Sequence, residues 1–146
     1  MVNLRAYREY WEQYLQRLPV ISRVVMLSVD EDISRTVQTL LPTDTVLFVL
    51  VPQARRIGET PDSWVDRNEA VVIVAAKYDP QRGGSVSCLE RLQPVAEALR
   101  SMIADDMAAG CPVLGRVDIG SMRVTAVTTW YNTLAGWMTD FTFDTD

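Results

Sequence analysis

A chain of 146 residues with 48% hydrophobic and 23% charged side chains has the length and composition of one globular domain. At that size folding buries roughly two-thirds of the chain's surface, enough for an ordinary core without a metal or a disulfide. A net charge of −5 disfavours gripping a phosphate backbone, which lysine and arginine drive by releasing counterions.

The apolar runs Thr45 to Pro52 and Ala70 to Ala76 fall far short of the ~20 residues that span a bilayer. The start, Met1-Val2-Asn3-Leu4-Arg5, has no basic segment leading into an apolar one. A single domain over residues 1–146, cytoplasmic, with no membrane segment and no specific nucleic-acid binding, is expected. Cys88 and Cys111 lie far apart with no metal-type spacing around either, and both read as thiols, Cys88 and Cys111 alike buried.

Apolar residues at Leu4, Tyr7, Trp11, Tyr14, Leu15 and Leu18 keep the three-and-four spacing of one helix face, and Pro19 ends that helix. The β-branched cluster in Val20 to Val29 predicts a strand. Asp30 or Asp32 then caps a helix with Ile33, Val37, Leu40 and Leu41 on one side and Pro42 as its stop. Thr45 to Val51 is almost entirely apolar, as suits a strand covered on both faces by its own chain or by an oligomeric partner.

Residues Pro52 to Asn68 lose all periodicity and read as a long loop, holding Arg55, Arg56 and a lone Trp64 among polar groups. Glu69 to Tyr78 is a strand, closed by the turn residues Asp79 to Gly84. The longest helix follows, opened by Ser85 or Ser87, with Ser87 and Glu90 in the form of a capping box and Leu89, Leu92, Ala96, Leu99, Ile103 and Met107 as its apolar face. Gly110 ends it, and Pro94 either kinks it or marks its true first turn. Two alternating strands, Met122 to Trp130 and Trp137 to Phe143, are joined by a turn at Asn132 to Gly136. The order implies an α+β fold: a mixed, mostly antiparallel sheet with amphipathic helices packed chiefly on one face.

The chain contains no histidine, which removes Ser-His-Asp and Cys-His nucleophilic pairs and every histidine-bearing metal site. Lys77 is the only lysine and has no recognisable serine partner. Asp30-Glu31-Asp32 has half the look of a magnesium site, but acidic residues are also what a helix's first turn prefers. Arg82-Gly83-Gly84-Ser85 lacks the lysine and spacing of a P-loop and reads as a strand-to-helix turn. Asp105-Asp106 sits against the helix dipole and reads as an exposed face or an interface. No catalytic residue, cofactor site or metal site is therefore assigned. The residues singled out for an interface are Arg55, Arg56 and Trp64, because a large apolar ring in a polar loop needs something to cover it.

The strand Ala70 to Tyr78, the turn Pro80 to Gly84, the helix Ser87 to Ala109 and the strands Met122 to Tyr131 and Gly136 to Phe143 resemble in plan the tail-terminator and neck or tail-completion proteins of bacteriophages. That resemblance implies a non-enzymatic structural protein of a virion or prophage, assembling as a ring of six subunits, with other tail or neck proteins as partners. Two other readings stay open from the residues. One is a small-ligand or regulatory module whose pocket is lined by tryptophans, and the other is a histidine-free enzyme using Asp30, Asp32 or Lys77.

Overall fold

The computed structural model describes residues 1–28, 30–131 and 133–146, except the side chains of residues 30–32 and 129. The caps expected from Asp30 and Asp32, and Asn132 of the last turn, lie outside the described residues.

Ten elements follow in order: α1 (Leu4–Glu12), α2 (Tyr14–Arg17), β1 (Arg23–Leu27), α3 (Asp30–Thr39), β2 (Val46–Leu50), β3 (Gln53–Gly58), β4 (Trp64–Lys77), α4 (Gly84–Ala108), β5 (Arg116–Trp130) and β6 (Leu134–Thr145). The strands form one sheet in the order β1-β2-β4-β6-β5, with β3 paired to β4 beyond the end of β2. Only β1 and β2 run parallel, joined through α3, and the other pairings are antiparallel. This is the α+β fold with a mixed, mostly antiparallel sheet that the sequence predicts. No helix among the described residues is long and apolar enough to cross a membrane.

Period-two alternation divides the sheet's side chains between two cores. Leu47, Val49, Val72, Val74, Phe141 and Phe143 face α1, α2 and α4. Val46, Phe48, Ile73 and Ala75 face the opposite side, where α3 supplies Ile33 and Leu40 covers its end. Three helices thus share one face and α3 takes the other. β2 is apolar because both faces are filled from within the chain, so its composition is no sign of an oligomeric partner.

The first helix comes in two pieces that share a buried face of Tyr7, Tyr10, Trp11 and Tyr14, with Asn3 as N-cap through its side chain to the Ala6 amide at 3.0 Å. In α4 the capping box is not formed. The helix starts a turn earlier, at Gly84, with Gly83 in the cap position and no side-chain cap. Pro94 consequently lies inside the helix, where its missing N–H leaves the Glu90 carbonyl without the usual helical donor. One residue earlier the Leu89 carbonyl accepts the Trp137 indole N–H of β6 at 2.9 Å, a tie between helix and sheet. The C-terminal end is a Schellman motif: Gly110 has φ +77°, and the amides of Gly110 and Cys111 reach back to the carbonyls of Met107 and Asp106 at 3.0 and 2.9 Å.

The segment read as a long loop is a β-hairpin. β3 pairs with the first half of β4 from Gln53 opposite Glu69 to Gly58 opposite Trp64, and only Glu59 to Ser63 form the turn. Nearly all of β3 faces solvent on both sides, so nothing selected an apolar face and alternation is missing from its sequence. Gly136, expected in the last turn, lies inside β6, which begins at Leu134.

Candidate functional site

The hairpin of β3 and β4 extends past β2 as an arm, and alternation sends its neighbouring arginines to opposite faces. Arg56 lies on the face shared with α1, its guanidinium carbon 3.6 Å from the centre of the Trp64 ring and its Nε 3.8 Å from the Asp66 carboxylate. Trp64 is 37% exposed and is not a lone ring, because Arg56 covers one of its faces. At an exposed site such a cation–π pair is worth about 0.5–1 kcal/mol. Arg55 points to the far face, directly across from Arg67. The structure therefore joins two of the three predicted interface residues and separates the third.

The root of the arm is fastened by a buried side chain that sequence reasoning passed over. Asn68 donates to the carbonyls of Phe143 and Asp66 at 3.2 and 3.1 Å and to the Thr145 hydroxyl at 3.0 Å, while its carbonyl accepts the Val2 amide at 3.2 Å. The Met1 ammonium pairs with Asp66 one step along the strand. Every polar group of a fully buried amide is used, which fixes the angle at which the arm leaves the sheet. The only signal in the sequence was a single asparagine within an otherwise strand-forming run.

A second polar cluster joins α1 and α2 to the end of α4. Asp106 accepts both terminal nitrogens of Arg17, at 2.7 and 2.8 Å, and the Tyr10 hydroxyl at 2.6 Å, and the Tyr10 and Tyr14 hydroxyls lie 3.1 Å apart. The exposed face expected for Asp105-Asp106 holds for Asp105 alone. Asp106 is drawn inward by Arg17, a partner too distant in the chain for spacing to reveal.

Burial alone would raise the Asp106 carboxyl, but the hydrogen bonds from Arg17 and Tyr10 and the charge of Arg17 outweigh it and hold the group below its usual range. A carboxylate depressed in the folded state stabilises above its unfolded pKa of ~3.9, and that contribution fades as the pH falls through the lower folded value. Asp106→Ala is expected to cost about 2 kcal/mol at neutral pH, moderated by the partial exposure of the pair. Urea titrations of variant and wild type should converge as the pH drops below about 4, and a gap that stays constant with pH would contradict this assignment.

Other candidates have structural employment. Lys77 donates from Nζ to the Leu40 carbonyl at 2.8 Å, placing a cation just past the C-terminal end of α3. In the turn before α4 the amides of Gln81, Arg82 and Gly84 are taken up by the side chain and carbonyl of Asp79. Cys88 is a buried thiol against the carbonyls of Ala76 and Ala135, whereas Cys111 is only half-buried. The tryptophans do not converge on one pocket: Trp11 is in the core, Trp130 packs edge-on against Phe48 at 5.1 Å, Trp137 lies against α4 and Trp64 is on the arm. Among the described residues no group of three or more acidic or cysteine side chains is placed to hold a metal ion. No family model, curated protein or solved structure matches the chain.

Proposed function

We propose that the chain is a non-enzymatic structural subunit that assembles head to tail with copies of itself into a ring. The observation that carries this reading is the arm: a hairpin whose β3 strand is exposed on both sides, anchored at its root by Asn68 and presenting the stacked Arg56–Trp64 pair with the Trp64 ring partly exposed. Its own ladder already orders the arm, so a neighbour that covers Trp64 gains buried aromatic area without the cost of ordering a loop. Contacts made by two different patches on each subunit close into a ring when the rotation allows. The resemblance in plan to tail-terminator and neck proteins supports this reading; it implies six subunits and a role in a virion or prophage tail with other tail or neck proteins as partners.

Light scattering coupled to gel filtration, over a range of protein concentrations, tests the ring together with electron microscopy of assembled particles. The wild type is expected to form a closed oligomer at high concentration. Trp64→Ala should shift the assembly concentration upward by tenfold or more, on the order of the loss when a central aromatic anchor is truncated. An oligomer indifferent to Trp64→Ala, or none at any concentration, would end the proposal.

A further inference from the structure

The sheet face turned away from α1 and α4 is covered by α3 only at its β1–β2 end. Across the remainder, the register aligns charged residues in rows that cross four strands. One row reads Arg55, Arg67, Asp144 and Arg116, three arginines to one aspartate and hence a net charge of +2. The next row reads Gln53, Glu69, Thr142 and Asp118, a net charge of −2. Within the positive row Arg67 is spent on Asp144, through two hydrogen bonds of 2.8 and 3.0 Å. Among the described residues Arg55, Arg116, Glu69 and Asp118 form no salt bridge within the chain.

We infer that this face is a self-complementary surface whose occupant is a second copy of the same chain, related by a two-fold axis. An axis lying between two such faces, along the rows and midway between them, brings the positive row of each copy over the negative row of the other. Each residue then faces the residue two positions away on the same strand of its partner. Arg116 meets Asp118 and Arg55 meets the Gln53 amide, each pair occurring twice, while the bonded Arg67–Asp144 pair of each copy comes over Glu69 and Thr142 of the other. The apolar neighbours obey the same symmetry, because half-buried Val65 and Val71 flank the two rows of β4 at equal distances and face each other across the contact.

Rows two residues apart lie ~7 Å from each other and the outer strands of a row ~14 Å apart. The patch is therefore at the small end of specific interfaces, and its pairs are individually weak and screened by salt. The contact is a salt-sensitive dimerisation. It uses the face of the arm opposite Arg56 and Trp64, so it does not rest on the ring reading.

The test is made in the Trp64→Ala background, where ring assembly is weakened. Sedimentation velocity at low salt should show a monomer–dimer equilibrium whose dissociation constant rises about tenfold or more when the ionic strength goes from roughly 0.05 to 0.5 M. Adding Glu69→Arg with Asp118→Arg gives two positive rows, and adding Arg55→Glu with Arg116→Glu gives two negative ones. Each set alone should be monomeric with the wild-type circular dichroism spectrum, and an equimolar mixture should recover a mixed dimer by native mass spectrometry. If either set fails to fold, the single variants Asp118→Arg and Arg55→Glu, at exposed positions, serve in its place and should weaken the dimer. A protein monomeric at low salt, a dimer indifferent to charge reversal, or folded opposite-charge variants that do not associate would each overturn the inference.

Discussion

Gly136→Ala is expected to destabilise the fold by about 3 kcal/mol or more, which would place it in the severe tail of single substitutions. Gly136 lies within β6, between Ala75 of β4 and Val127 of β5. A β-carbon there would stand 1.9 Å from the Val74 carbonyl oxygen and 2.7 Å from the Ala75 α-carbon. Both are backbone atoms of the strand at the middle of the sheet, so relief requires β4 and β6 to separate and their ladder to stretch. Gly120 is the control: a β-carbon there meets only the Asp118 carboxylate at 3.3 Å, a side chain on the surface that can swing aside. For a domain of this size the loss corresponds to a fall in melting temperature on the order of 10 °C. Thermal and urea unfolding should show that fall for Gly136→Ala with the cooperativity retained. A Gly136→Ala protein within about 1 kcal/mol of the wild type would mean that the strands yield more easily than packed interiors do.

The parts of the fold that were legible in the sequence are those where burial imposed a period. Tyr7, Trp11 and Tyr14, the apolar run of β2 and the buried side of α4 were visible because each must present one or two faces to a core. The hairpin was invisible for the complementary reason. Its pairing is made by backbone groups, the side chains of β3 meet water on both faces, and Gln53 to Gly58 therefore show no pattern to read. The α4 start was misplaced because Ser87 and Glu90 satisfy the capping pattern, while the helix begins at two glycines whose positive φ suits the turn from β4.

Interaction sites suffered most where two distant segments meet. Arg56 and Trp64 were singled out separately, but their stacking depends on the register of a hairpin that had not been recognised. Arg17 and Asp106, or Arg67 and Asp144, join residues far apart in sequence, and no spacing rule connects them. The charged rows follow the same logic: Arg55 and Arg116 belong to one row only because β4 and β6 lie between their strands. A sequence shows which residues are charged, whereas sheet order determines which charges become neighbours.

The fold is expected to fail steeply above pH 10, and the cause is the tyrosine cluster of α1 and α2. Tyr7, Tyr10 and Tyr14 are all buried. Burial disfavours the phenolate at each. It pushes Tyr7 above the usual range, with the Trp11 indole opposing it. At Tyr10 burial is reinforced by Tyr14 and by Asp106, whose carboxylate accepts the Tyr10 proton, and that hydroxyl is raised further. Tyr14 is pushed up to about 12 by burial, against its hydrogen-bond contact with Tyr10 and the nearby charge of Arg17. A group whose pKa is raised on folding leaves stability intact below its unfolded value and removes it as the pH climbs toward the folded one. In the unfolded chain these hydroxyls ionise near pH 10 while the folded protein holds their protons, so each subtracts about 1.4 kcal/mol per pH unit over that window. Three together subtract roughly 4 kcal/mol per unit, enough to exhaust a typical domain's 5–15 kcal/mol within two or three units. Tyrosinate absorbance and circular dichroism, followed through an alkaline titration, should change together for these three residues. Tyr10→Phe removes one ionising group, and the slope of unfolding free energy against pH should fall by about a third. If the absorbance of all the tyrosines rose to completion while the far-ultraviolet signal stayed native, burial of the cluster could not be what shifts these hydroxyls.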